Sequence, residues 1–147
     1  MRALVQRVSE ARVTVAADVV GQIGRGALVF LGVKRNDTRA DAEYLANKVA
    51  ALRIFPDDNG RNNLSLIDTG GGMLVVSQFT LYADTQRGNR PSYASAAGSD
   101  VAEPLYQYFI QCCEALCPNI QRGVFGAHME VSLTNDGPIT ILCSSDV

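Results

Sequence analysis

Residues Ala27–Val33, ALVFLGV, form a nearly unbroken apolar run bounded by glycines, Gly26 before it and Gly32 near its end. A run this short has no helical period. Its glycine boundaries and β-branched and aromatic members mark a central, fully buried strand. That strand needs neighbours on both edges, so the chain must build a sheet around it. The flanks agree. Leu4, Val5 and Val8 lie in a first strand; Arg12–Val15 and Val19–Ile23 alternate about a polar turn near Asp18. After the run, Thr38 is placed to cap a helix, with Asp41 three residues on as a weaker counterpart of the capping-box Glu or Gln. Tyr44, Leu45, Val49 and Leu52 fall at helical spacing.

Turn chemistry at Asp57-Asp58-Asn59-Gly60 and a break at Gly70-Gly71-Gly72 separate a short apolar stretch, Leu64–Ile67, from another strand, Met73–Val76. That strand runs straight into Ser77-Gln78-Phe79-Thr80. A polar loop spans Asp84–Asp100, and a second helix, Val101–Leu116, aligns Leu105, Phe109 and Cys112 or Cys113 before Pro118 ends it. From Gly123 to Cys143 the pattern is again strand-like. Val131 and Leu133 alternate before Asn135-Asp136-Gly137-Pro138, and Ile139 and Ile141 after it. Asn-Asp-Gly between alternating segments reads first as a hairpin turn. The expectation is a single α+β domain over residues 1–147: a mostly antiparallel, barrel-like sheet with two main helices. Helix and strand do not alternate regularly, which argues against a doubly wound parallel sheet.

Bulk properties remove several function classes. The chain has 147 residues, 47% hydrophobic and 19% charged, with no apolar run near membrane-spanning length and no leader-peptide core. A cytoplasmic protein without a membrane role is expected. The four cysteines, Cys112, Cys113, Cys117 and Cys143, have neither zinc spacing nor a disulfide framework and read as reduced, apolar side chains. Net charge is -2, so any nucleic acid is gripped over a short stretch or by a local cluster such as Arg87 and Arg90. There is no phosphate loop or dinucleotide fingerprint. The single histidine, His128, stands apart from any nucleophile motif and reads as a surface or edge-strand residue. Hydrolysis by this chain would proceed without the usual base and without a metal or other cofactor.

Two segments can still make a site. Ser77-Gln78-Phe79-Thr80 leaves a buried strand, offering two hydroxyls, an amide, a flat ring and free main-chain N–H groups. Gly137-Pro138 lets main chain approach a ligand closely, and the bond before a proline can be cis.

These segments, in this order, resemble the D-aminoacyl-tRNA deacylase family, also called D-tyrosyl-tRNA deacylases. The resemblance begins at Met1-Arg2-Ala3-Leu4-Val5-Gln6-Arg7-Val8 and continues through Gly24–Val29 and Lys48–Phe55 to Ser77–Asp84. It closes with Phe125-Gly126-Ala127, Met129, Val131 and Asn135–Thr140. It implies hydrolysis of the ester of D-aminoacyl-tRNA, and of glycine mischarged on the wrong tRNA. The implied partner is the tRNA acceptor end, and the implied assembly is a homodimer. Each site would join Ser77–Thr80 of one subunit to a cis Gly137-Pro138 segment of the other, which rejects L-amino acids. Arg7 would hold that segment and Met129 would lie near the terminal adenosine. His128 departs from the family pattern, where a small polar residue is more usual. Competing readings are a non-catalytic nucleic-acid-binding module, with Phe79 stacking on a base, a purely structural dimer, and a sister deacylase acting on L-aminoacyl-tRNA.

Overall fold

The computed structural model describes residues 1–146. Its spine is β1, Arg2–Val15. One edge of β1 pairs antiparallel first with β3, Gly26–Gly32, and then with β2, Asp18–Ile23. The other edge pairs antiparallel with both halves of β8, Glu130–Ser144. Beyond β3 the sheet turns parallel, through β6 (Gly72–Ser77) to β7 (Ile120–Arg122). The sheet then curls until β2 meets β7: a Cβ on Gly21 would lie 2.6 Å from the Arg122 carbonyl oxygen. The barrel-like α+β core is therefore as expected, with two parallel pairings among the antiparallel ones.

The apolar run at β3 is explained by burial on both faces. Ala27, Val29 and Leu31 belong to a core beneath the helices, while Leu28 belongs to a second core inside the curl. β6 repeats the arrangement, with Met73 and Val75 on one side and Leu74 and Val76 on the other. A sheet covered on one face only would have shown alternation. Each fully buried aliphatic side chain here contributes about 1.5–3 kcal/mol.

Helices α1 (Arg39–Ala51) and α3 (Ser99–Leu116) cover the first core. The Thr38 N–H donates to Asp41 Oδ2 at 2.8 Å, so the cap is as read. The buried face of α1 is Ala42, Leu45, Ala46, Val49 and Ala50. Tyr44 is exposed, with the Lys48 ammonium 5.7 Å from its ring centre. The buried face of α3 carries Ala102, Tyr106, Phe109, Ile110 and Cys113. All four cysteines are free thiols, and burial pushes the Cys113 thiol well above its ordinary range. No helix among the described residues is long and apolar enough to cross a membrane.

Several expectations are corrected. Arg12–Val15 is no separate strand but the end of β1, and the turn that follows is Ala16-Ala17, both with positive φ. Asp18 already pairs with Val15. Leu64–Ile67 splits into β5 (Asn62–Leu64), which pairs with β4 (Phe55–Pro56), and a third helix, α2 (Leu66–Thr69). The Ser65 hydroxyl and the Asp68 carboxylate cap α2. The hairpin expected at Asn135–Pro138 does not exist. Both halves of β8 pair with β1, and between the pairs Gln6–Thr140 and Val8–Asn135 β1 advances two residues while β8 advances five. The surplus chain stands out from the sheet as a bulge carrying Gly137 and Pro138. β8 itself is an edge strand, with Leu133 and Leu142 exposed.

Candidate active site

Ser77 is the last residue of β6 and pairs with Leu31, at the far end of β3. The chain then winds into a 3-10 turn, Phe79–Tyr82. Gln78 N–H donates to the Leu31 carbonyl at 2.8 Å, which ties the start of the turn to the sheet. Leu81 N–H closes the turn on the Gln78 carbonyl at 3.3 Å. The opening N–H groups of a helical turn have no partner within it. Those of Phe79 and Thr80 meet no side-chain acceptor among the described residues either. The Gln78 amide donates to Thr80 Oγ1, so the hydroxyl is oriented by an amide and has no base beside it.

Ser77, Gln78 and Phe79 line a cleft of about 400 Å³, within the ordinary range for small-ligand sites; Thr80 follows them in the chain without lining the cleft. Leu31, Val33 and Val76 make its floor; Tyr106, Phe125 and Met129 make one wall. Tyr106 Oη donates to the Val75 carbonyl at 3.0 Å, and burial raises its pKa to about 12. It therefore remains a neutral donor that locks the wall to β6. Phe125 packs on the same ring at 5.6 Å. Met129 fits because residue 123 is glycine, where a Cβ would come 2.6 Å from the sulfur. His128 is an exposed residue of the cleft. Phe79 is 56% exposed and meets Tyr93 edge to face, ring centres 5.1 Å apart. A smaller hollow of about 120 Å³, lined by Glu10, Arg12 and Thr134 among others, includes none of the Ser77–Thr80 or Gly137-Pro138 residues. The described residues hold no cluster of three His, Cys, Asp or Glu side chains suited to a metal.

The Gly137-Pro138 segment lies elsewhere. The peptide bond between them is cis. Arg7, 11% exposed, reaches across from β1 and organises the bulge. Its Nε donates to the Asp136 carbonyl at 3.0 Å and lies 3.4 Å from the Asp136 carboxylate. Its Nη1 donates to the Ile54 carbonyl at 2.8 Å and to Asn62 Oδ1 at 3.0 Å. Asn135 closes the bulge from inside: its Oδ1 accepts from Ile139 N–H at 3.0 Å and its Nδ2 donates to Thr140 Oγ1 at 2.9 Å. Neither Gly137 nor Pro138 lines the cleft. The bulge sits beside Gln6–Val8, which pair with Leu28–Gly26, whereas Ser77 pairs with Leu31. Three to five residues of strand separate the two levels, roughly 10–17 Å at the usual rise.

One chain thus brings Ser77, Gln78, Phe79 and Met129 together around the cleft, with Thr80 bonded to Gln78 beside it, and Arg7 with Gly137 and Pro138, but not the two groups with each other. Sequence reasoning missed Asn135, Asn62, Phe125, Tyr106 and Tyr93. Asn135 had a signal, an Asx residue placed to bond its own backbone; it was absorbed into the hairpin reading. Arg87 and Arg90 are exposed in the loop after the 3-10 turn.

A model of the family described as D-Tyr-tRNA(Tyr) deacylase matches residues 4–144. The D-aminoacyl-tRNA deacylase of Symbiobacterium thermophilum is 55% identical over 146 residues, 99% of this chain and 97% of its own. That of Roseiflexus castenholzii is 56% identical over 147 residues, 100% of this chain and 94% of its own. Among solved structures, the c-Myc DNA Unwinding Element Binding Protein superposes with a TM-score of 0.95 at 38% identity, over 100% of both chains. A probable eukaryotic D-amino acid tRNA deacylase superposes at 0.86 over 97% of both; at 16% identity it speaks for the fold alone. Matched along almost its entire length by family, sequence and fold, the chain belongs to the D-Tyr-tRNA(Tyr) deacylase family.

Proposed function

We propose that the chain hydrolyses the ester joining a D-amino acid, or a mischarged glycine, to the terminal ribose of tRNA, in the cytoplasm. The observation that carries the reading is the pair of main-chain N–H groups at Phe79 and Thr80 that open the 3-10 turn without a partner, where Ser77, Gln78 and Phe79 border a cleft with an apolar and aromatic wall. An aminoacyl ester is already activated, so its hydrolysis needs chiefly oxyanion stabilisation and placement. Water adds to the carbonyl carbon. The negative charge gathers on the carbonyl oxygen between the two N–H donors. The carbon–oxygen bond to the ribose then breaks, and the ribose oxygen leaves with a proton.

Thr80 is a poor nucleophile here, because its hydroxyl is bonded to the Gln78 amide and not to a base. The ribose hydroxyl next to the ester takes the part of activating water, with no step through a metal. The Tyr106–Phe125–Met129 wall receives the terminal nucleoside.

Selection is assigned to Gly137-Pro138 of a second copy. Its carbonyl oxygens accept the substrate α-ammonium and leave no space for an L side chain, while glycine passes. Two features support a homodimer: the separation of the two groups in one chain, and the unpaired, partly apolar edge of β8.

A deacylation assay with matched D- and L-aminoacyl-tRNA tests the whole reading; equal rates for both hands, or none for either, would sink it. Gly137→Ala sharpens it. Residue 137 has φ +139, and an added Cβ would come 3.0 Å from the Ile139 nitrogen and 3.3 Å from Arg7 Nη2. The expected outcome is a loss of roughly 10- to 100-fold in kcat/KM, since misplacement of about 1 Å costs on that order. A fully active variant would remove Gly137 from the site.

A further inference from the structure

The loop after the 3-10 turn is built to present an aromatic surface beside the cleft. Asp84 and Ser92 exchange two backbone hydrogen bonds, 2.7 and 2.9 Å, which close the loop at its neck. Below the neck, Ser95 Oγ donates to the Tyr82 carbonyl at 3.2 Å, Arg35 N–H to the Ser95 carbonyl at 3.2 Å and Ala97 N–H to the Val33 carbonyl at 2.9 Å. Ala97 and Val33 themselves line the cleft. Tyr93 therefore stands on a fixed base, one residue past the neck.

Its ring is 41% exposed and meets Phe79, 56% exposed, at an interplanar angle of 72°. Edge-to-face packing leaves ring faces open to a third flat group. Two neighbouring rings that exposed are otherwise a cost in water. Beyond the neck, Arg87 and Arg90 stand exposed at the loop tip, and no carboxylate lies within ion-pair distance of either among the described residues. Cleft, aromatic pair and cationic tip thus follow one another outward.

We infer that Phe79 and Tyr93 form a stacking platform for the base that precedes the terminal nucleoside of the tRNA acceptor end, with the Arg87/Arg90 tip taking the adjoining phosphates. Aromatic faces accept any base, and exposed arginines accept any phosphate. The occupant is single-stranded, because a base must be free to leave its neighbours and lie on the ring. This rests on the proposed function and adds its second contact with the nucleic acid: the cleft takes the terminal nucleoside, the platform takes what is attached to it. A net charge of -2 is then no obstacle, because recognition spans few phosphates.

The test compares two substrates: a full D-aminoacyl-tRNA and the D-aminoacyl ester of adenosine alone. Tyr93→Ala is expected to raise KM for the tRNA substrate about ten-fold or more, the range of one lost base–aromatic stack. The penalty on the adenosine ester is expected to be at least five-fold smaller, and Tyr93→Phe to restore wild-type values on both. Equal losses on the two substrates, or none on either, would overturn the platform. Arg87→Ala/Arg90→Ala, at an exposed tip, keeps the test alive should the tyrosine variant fold poorly. Its log KM for tRNA is expected to depend less steeply on log salt, by about 1.4 for two phosphates on a single strand; an unchanged slope overturns the role of the tip. If the wild type cleaves neither substrate, the functional reading has failed separately. Fluorescence anisotropy of a labelled single-stranded oligonucleotide ending in CCA then decides the platform. Weaker binding by Tyr93→Ala upholds it, and equal binding rejects it.

Discussion

Ser77–Thr80 and Gly137-Pro138 are both short polar segments at the margin of one sheet, yet they are held in opposite ways. The first grows from β6, whose residues Met73–Val76 are 0–2% exposed and packed on both faces. Its position is inherited from the two hydrophobic cores. The second is an exposed bulge in an edge strand, tied down by one guanidinium and one asparagine amide. The comparison teaches that a site can draw one half of its rigidity from apolar packing and the other from a few directed hydrogen bonds. The two halves should then fail differently.

The largest effect on stability is expected from the packed half. Leu74→Ala removes a fully buried side chain of the inner core and should cost about 2–5 kcal/mol. Thermal unfolding should move down by roughly 5–20 °C for a chain of this size. Activity per folded molecule, measured well below the new midpoint, is expected within about three-fold of wild type. A large loss there would mean that packing and catalysis are not separable at β6. Next comes the tethered half, with the contrast reversed. Arg7→Ala should lower kcat/KM about 100-fold while costing only about 2 kcal/mol of stability, the scale of a charged hydrogen-bond cluster. Arg7→Lys should not rescue it, because an ammonium cannot serve Asp136, Ile54 and Asn62 with the planar fork of a guanidinium. Urea unfolding beside deacylation kinetics measures both.

The smallest effect concerns acid and touches neither half. Burial raises the Asp41 pKa, but the Thr38 N–H and further hydrogen bonds outweigh it and hold the carboxyl below its ordinary value. A depressed carboxyl contributes stability above its unfolded pKa, and that contribution disappears as pH falls through the folded value. Stability should therefore drop below about pH 4. Asp41→Asn should show a shallower drop between pH 5 and 2 in urea titrations; parallel curves would deny Asp41 that role.

The same division decides what the sequence could reveal. Apolar packing leaves a pattern, so β3, β6, α3 and the capped start of α1 were legible. So was the departure of Ser77–Thr80 from a buried strand. Hydrogen-bond tethers leave little pattern. Asn-Asp-Gly-Pro carries turn chemistry whether it joins two strands or bulges out of one, and only the pairing of both halves of β8 with β1 distinguishes them. Tyr44 matched the helical period yet faces water, because α1 buries a stripe of small alanines that hydrophobicity alone underrates. Helix α2 is too short for periodicity, although its Ser-x-x-Asp start was there to be read. The separation of the two polar segments depends on strand register, which no local pattern encodes. Their assignment to one site rested on family resemblance.

Register has a mechanical anchor. At the start of the parallel pair β3–β6, Gly26 sits against Gly72, where a Cβ would fall 1.8 Å from the Gly72 carbonyl oxygen. That side-chain-free contact sets a zero mark from which the remaining residues are counted. Five places on, the count delivers Ser77 opposite Leu31. Slide one strand by a single residue and every side chain of β6 changes sides, trading the inner core for the outer and turning the rim inside out. A contact with no side chain on either partner thus keeps time for chemistry at the opposite end of the strand.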